Sequence, residues 1–156
     1  MLAADTPSQI PSSKGQRVII DIHGHYTTAP KALEEWRKRQ IDSINQPALA
    51  PKVSELRISD DELRESIELN QLKKMKERGS DLTVFSPRAS FMAHHIGDFE
   101  VSSTWASICN ELCFRVAQLF PQHFIGAAIF GALQTPWGNL EFTPVAQMKW
   151  YQSKIV

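Results

Sequence analysis

An excess of charge of either sign is missing from this chain: 17 Lys and Arg face 17 Asp and Glu across 156 residues, and no block of like charge stands out. That balance argues against nucleic acid or an anionic membrane as the main partner. No apolar run approaches the ~20 residues a membrane helix needs. The opening MLAADTPSQIPSSKGQ has no apolar stretch and no early arginine, which excludes a convincing signal or transit peptide; residues 1–16 read as a disordered leader. Cysteine is scarce. Cys109 and Cys113 stand four apart in a helical pattern, the wrong place for a structural disulfide, and read as reduced core thiols of a cytoplasmic protein. A metal pair at that spacing would need further ligands nearby.

What is present suits one globular domain. Hydrophobic residues make up 42% of the chain, too many for a disordered one. Arg17 to Ile22 is a β-branched run without polar alternation, the pattern of a strand buried on both faces. His23 and His25 follow it. Side chains two apart on a strand share a side, so the imidazoles can converge at the strand's carboxyl end. Two imidazoles there form half of a site for a divalent cation such as zinc, with Asp21 as a candidate orienter of a ring. The bland alternative is two loop histidines at the surface.

Further along, Leu33, Trp36, Ile41 and Ile44 give a loose helical stripe, and residues 45–58, with Pro47 and Pro51, read as a long loop. Ser59 and Glu62 form a capping box that opens a helix to Arg78, stopped by Gly79. Leu82–Phe85 is a second strand, also expected to be buried on both faces. An amphipathic helix starts at Ser102 or Ser103 and ends at Pro121, and Phe124–Phe130 makes a third strand. This order implies right-handed crossovers and a parallel sheet, hence an α/β fold. Ser86 and Arg88 leave the second strand near the histidines, and an arginine there can clamp a carboxylate with two hydrogen bonds. His94 and His95 sit on the next loop, where either could orient, touch substrate or do nothing. Past Phe130 no strong amphipathic helix can be read.

The stretches IIDIHGHYTTAP, ISDDELRESIELNQLKKMKERGSDLTVFSPRASFMAHHIGD and WASICNELCFRVAQLFPQHFIGAA, within Val18 to Ala128, resemble the opening third of the 4-oxalomesaconate hydratases. These enzymes are a branch of the amidohydrolase superfamily, near the aminocarboxymuconate-semialdehyde decarboxylase group. The resemblance implies a (β/α)8 TIM barrel carrying a divalent metal, most often zinc, at its strand carboxyl ends. It further implies a homo-oligomer that hydrates a small tricarboxylate in protocatechuate or gallate breakdown. By position, His23 and His25 would be the first two metal ligands, and Ser86 and Arg88 would lie by the substrate carboxylates. Tyr26 and His95 fall in the same motif loops without an assigned role.

The chain also departs from that pattern. A full barrel takes about 200–250 residues, and only three strands are legible, so the expectation is a truncated barrel over residues 17–130. The remaining metal ligands, a histidine and an acidic residue, come from later strands in the family, as do its acid–base groups. From Gly131 the sequence diverges, leaving residues 131–156 as a separate tail. Two alternatives stay open: another amidohydrolase chemistry, decarboxylation or hydrolysis, on the same scaffold, or a non-catalytic barrel fragment.

Overall fold

The structure, a computed structural model, describes residues 17–93, 95–128, 133–134 and 140–141. The leader 1–16, His94 and most of the tail from 131 to 156 lie outside the described residues. The fold begins with a strand β1 (Ile20–Tyr26) and a helix α1 (Lys31–Asp42). Two short 3-10 turns then occupy Pro47–Leu49 and Val53–Glu55, within the stretch expected to be loop. Helix α2 (Asp60–Ile67) runs through a π turn (Glu68–Leu72) into α3 (Lys73–Arg78). Next come β2 (Leu82–Pro87), a single turn α4 (Ala89–Met92), the long helix α5 (Phe99–Leu119) and β3 (Phe124–Gly126). Two-residue strands β4 (Leu133–Gln134) and β5 (Leu140–Glu141) pair antiparallel in the tail.

The first three strands form one parallel sheet in the order β1-β2-β3, with the helices as crossovers. Helix boundaries follow local chemistry. Ser59 Oγ accepts the Glu62 N–H (3.2 Å) while the Glu62 carboxylate accepts the Ser59 N–H (2.7 Å), closing the capping box. Gly79 ends α3 at φ 67°, and Ser80 N–H reaches back to the Met75 carbonyl at 3.0 Å. Helix α5 starts three residues earlier than Ser102, because the Asp98 carboxylate accepts the Val101 N–H at 2.9 Å and caps it there.

The core lies on one face of the sheet, between the strands and the helices. Phe85 of β2 is fully buried, against Tyr26 on β1 and Phe124 on β3, with ring centroids 5.4 and 5.0 Å away. Trp36 of α1 stacks on Trp105 of α5 at 6.3 Å, and both indole N–H groups find backbone carbonyls, of Lys52 and Phe91. On α1 the stripe differs from expectation: Leu33 and Trp36 are buried, Ile41 and Ile44 only half-buried, and Arg37 and Gln40 take the inner face. The Arg37 guanidinium lies over the Trp105 ring at 4.9 Å, donates to Gln40 Oε1 (2.6 Å) and to the Met92 carbonyl (3.2 Å), and is 3% exposed. An arginine stem packs like a hydrocarbon, which is why a charged residue can replace the expected isoleucines.

Two strand expectations are corrected. Val18–Ile22 is not buried on both faces: Val18, Ile19, Ile20 and Ile22 are 50% to 79% exposed. Among the described residues β1 is an edge strand with a neighbour on one side only, so its β-branched side chains lack the cover that their composition implies. β2 alternates, with Thr83, Phe85 and Pro87 buried against the helices and Leu82, Val84 and Ser86 half-buried on the open face. The strand β3 ends at Gly126, before the expected Phe130; residues 129 and 130 of that expectation lie outside the described residues. No helix among the described residues is long and apolar enough to cross a membrane.

Candidate metal centre

The strand β1 includes both histidines, where a loop beyond the strand was expected. Its register against β2 slips between Asp21 and Gly24, so one extra residue bulges out beside Val84. Asp21 shapes that bulge: its carboxylate accepts the His23 backbone N–H at 2.9 Å. That local bond to the backbone is the contact the structure gives Asp21, and the expected role of orienting an imidazole ring is not the one it fills. Beyond the bulge Gly24 pairs with Phe85 and Tyr26 with Pro87, both on the helix-covered face, while His25 pairs with Ser86 on the open face.

Gly24 lets the strands approach this closely. A Cβ at that position would stand 2.0 Å from Thr83 Cγ2 and 3.0 Å from the Val84 carbonyl oxygen. The residue between the two histidines must therefore be glycine for steric reasons, independent of any turn.

The two imidazoles meet with ring centroids 4.7 Å apart at an interplanar angle of 80°. His25 Nδ1 lies 2.9 Å from Ser86 Oγ, and Ser86 Oγ lies 3.2 Å from the Gly24 carbonyl. Arg88 follows at the end of the same strand, exposed and without an ion pair among the described residues. The four residues singled out from the sequence thus share the carboxyl ends of β1 and β2. Neither of the other two described histidines joins them in a group that could hold a metal ion: His95 is exposed on the loop before α5, and His123 precedes β3 at the opposite end of the sheet.

A divalent cation wants three or four nitrogen, oxygen or sulfur donors. The His23/His25 pair fits half of that set, with both rings on open strand-end ground. Among the described residues no group of three His, Cys, Asp or Glu side chains could hold a metal ion. Cys109 and Cys113 are free and buried in α5; burial pushes the Cys109 thiol up to about 12 and the Cys113 thiol higher still, as expected of inert core thiols.

Sequence reasoning missed the brace behind the pair. The π turn brings Gln71 against the segment leaving β1, where its amide donates to Thr27 Oγ1 (3.2 Å) and the His25 carbonyl (3.5 Å) and accepts from Thr28 Oγ1 (2.9 Å). Ser66 donates to the Thr28 carbonyl and accepts from the Tyr26 hydroxyl at 3.3 Å. Burial pushes the Tyr26 phenol up to about 12, with the Ser66 hydrogen bond opposing, so it stays protonated and structural. A π turn leaves no mark in the hydrophobic pattern, although such turns gather at functional sites. Tyr26, Arg88, Cys109 and Cys113 are among the residues that line a cavity of about 70 Å3.

Comparisons with known proteins give the family and the fold. The amidohydrolase family model matches residues 20–143, beyond the reach of the quoted motifs. A curated relative, the 2-keto-4-carboxy-3-hexenedioate hydratase of Sphingobium sp. (strain NBRC 103272 / SYK-6), is 54% identical over 112 residues, covering 72% of this chain and 32% of its own length. The crystal structure of 4-oxalomesaconate hydratase from Rhodopseudomonas palustris superposes with a TM-score of 0.68 at 70% identity, over 76% of this chain and 33% of that one. This chain therefore spans about a third of the length of either relative. Its parallel strands and crossover helices match the N-terminal part of that TIM barrel. The chain belongs to the amidohydrolase family.

Proposed function

We propose that this chain supplies half of the metal centre and one substrate contact of a metal-dependent hydratase acting on 4-oxalomesaconate, in aromatic catabolism in the cytoplasm. The convergence of the His23 and His25 rings at 4.7 Å, where parallel strands end, carries the reading. The names of the two relatives give the substrate class, a small tricarboxylate with a carbon–carbon double bond. His23 and His25 would hold a divalent cation, with zinc as the first candidate because it favours neutral imidazole. When bound, such an ion supplies Lewis acidity that polarises the substrate or the attacking water.

The chain's own groups do the rest of what can be assigned. Arg88, exposed and without an ion pair among the described residues, would take a substrate carboxylate in a bidentate grip and hold the double bond over the strand ends. Ser86, two residues before Arg88, lies against His25. Two ligands remain to be supplied, and in a homo-oligomeric full barrel they would come from other strands.

A hybrid tests the reading: residues 18–128 of this chain replace the matching segment of the Sphingobium hydratase. Hydration, followed as loss of the substrate's ultraviolet absorbance, should persist in the hybrid. It should fall at least ~100-fold in His23→Ala or His25→Ala, in line with loss of transition-state charge stabilisation. Full activity in both variants would defeat the proposal.

A second reading is a non-catalytic segment whose edge must pair with another chain, favoured by the exposed Val18, Ile19, Ile20 and Ile22. A hybrid that folds and binds metal but hydrates nothing would support it.

A further inference from the structure

We propose that Ser86 is a positioning residue that fixes the tautomer of His25, holding the ring proton on Nδ1 and leaving the Nε2 lone pair bare. The inference deepens the metal reading, but its first observable exists without any metal.

Among the described residues Ser86 Oγ has two polar neighbours, His25 Nδ1 at 2.9 Å and the Gly24 carbonyl oxygen at 3.2 Å. A carbonyl oxygen can only accept, and a hydroxyl has one proton to give. If that proton went to Nδ1, Ser86 Oγ would turn a lone pair toward the Gly24 oxygen, two acceptors face to face. With the hydroxyl donating to Gly24, the serine lone pairs remain for a donor, and Nδ1–H is the donor in reach. Both contacts are then satisfied, and of the two neutral tautomers only the one with its proton on Nδ1 does this. A solvated neutral histidine prefers its proton on Nε2, so Ser86 must overcome that preference.

The same accounting limits what else Ser86 can do. With its proton committed to a backbone carbonyl it has nothing to donate to a substrate carboxylate, a task left to Arg88. The close approach of β1 to β2 that Gly24 permits brings Ser86 within reach of the ring. Histidine ligands generally give their second nitrogen to such a partner, which sets tautomer and orientation.

The test is nitrogen-15 NMR of the full chain labelled at histidine, by magic-angle spinning so that self-association does not interfere. Wild type should show His25 with its proton on Nδ1. Ser86→Ala should lower the ratio of Nδ1–H to Nε2–H at His25 by at least ~3-fold while His123 is unchanged, and Ser86→Thr, which keeps the hydroxyl, should restore it. A zinc titration of the same samples should then show affinity about 10-fold weaker in Ser86→Ala, recovered in Ser86→Thr. Wild-type His25 protonated on Nε2, or a ratio unmoved by Ser86→Ala, overturns the proposal. A tautomer that shifts as described while zinc affinity stays fixed in every variant upholds it, and counts instead against His25 as a ligand.

Discussion

Replacing Gly24 with alanine should loosen the strand pair that brings the two histidines together. The added Cβ would sit 2.0 Å from Thr83 Cγ2 and 3.0 Å from the Val84 carbonyl oxygen. Thr83 is buried and Val84 O belongs to the backbone of the middle strand, so neither can swing aside and β1 must shift away. Overpacking of this kind costs about 1–3 kcal/mol, and a contact this short with a backbone neighbour behind it places Gly24→Ala near the top, about 3 kcal/mol. For a chain of 156 residues each kcal/mol moves the melting temperature ~2–4 °C, so a fall of about 6–12 °C is expected. Thermal unfolding followed by circular dichroism measures it. Pairing the change with Thr83→Ala removes the nearer contact and leaves the carbonyl, so the double variant should recover about 1–2 kcal/mol relative to additivity. A Gly24→Ala protein that melts within about 1 °C of wild type, or a strictly additive pair, would refute the steric reasoning.

Other consequences follow from the same packing. Thr83 buries a hydroxyl with no hydrogen-bond partner among the described residues, so Thr83→Val should raise stability by roughly 1 kcal/mol in denaturant titrations; a loss would mean the hydroxyl is bonded in solution. Arg37→Ala should destabilise by about 2–4 kcal/mol in the same assay, since it empties the space over Trp105 and strands Gln40 and the Met92 carbonyl; Arg37→Met should lose less than half as much. Because burial raises the Tyr26 phenol from 10.0 to about 12 and the Cys109 thiol from 9.0 to about 12, the folded state holds these protons more tightly than the unfolded one. The stability they contribute is complete below pH 9 and is lost as pH rises toward 12, and melts across that range should show the decline shallower in Tyr26→Phe. The β1 edge, unpaired among the described residues, should drive self-association, and Ile22→Lys, at a site 79% exposed, should shift sedimentation toward monomer without lowering the melting temperature.

Much of the fold could be read from local chemistry. Ser59 with Glu62, Gly79, and the three-and-four spacing of Trp105, Ile108, Cys109, Leu112 and Val116 marked helices that the structure contains. The parallel pairing of the strands followed because helices separate them, which implies crossover connections. Burial of β1 could not be read, because β-branched composition reports what a strand is suited to and not whether a neighbour covers it. Arg37 was missed for the converse reason: a charged residue gives no sign that its stem lies flat on Trp105. At the site, the spacing of His23 and His25 was enough to foresee that the rings could meet. The bulge at Asp21, the Ser86 contact and the Gln71 brace depend on residues about 40 to 60 positions apart in the chain and leave no periodic signal.

The most direct measurement of the metal reading is the zinc K-edge absorption spectrum of the hybrid that carries residues 18–128. Imidazole nitrogens at about 2.0–2.1 Å are expected in the first shell. In the His23→Ala and His25→Ala double variant their outer-ring scattering should drop by two histidines, with bound zinc falling well below one equivalent. An unchanged spectrum at full zinc occupancy in that variant would show that the cation sits elsewhere and that the convergence of these two rings has another purpose.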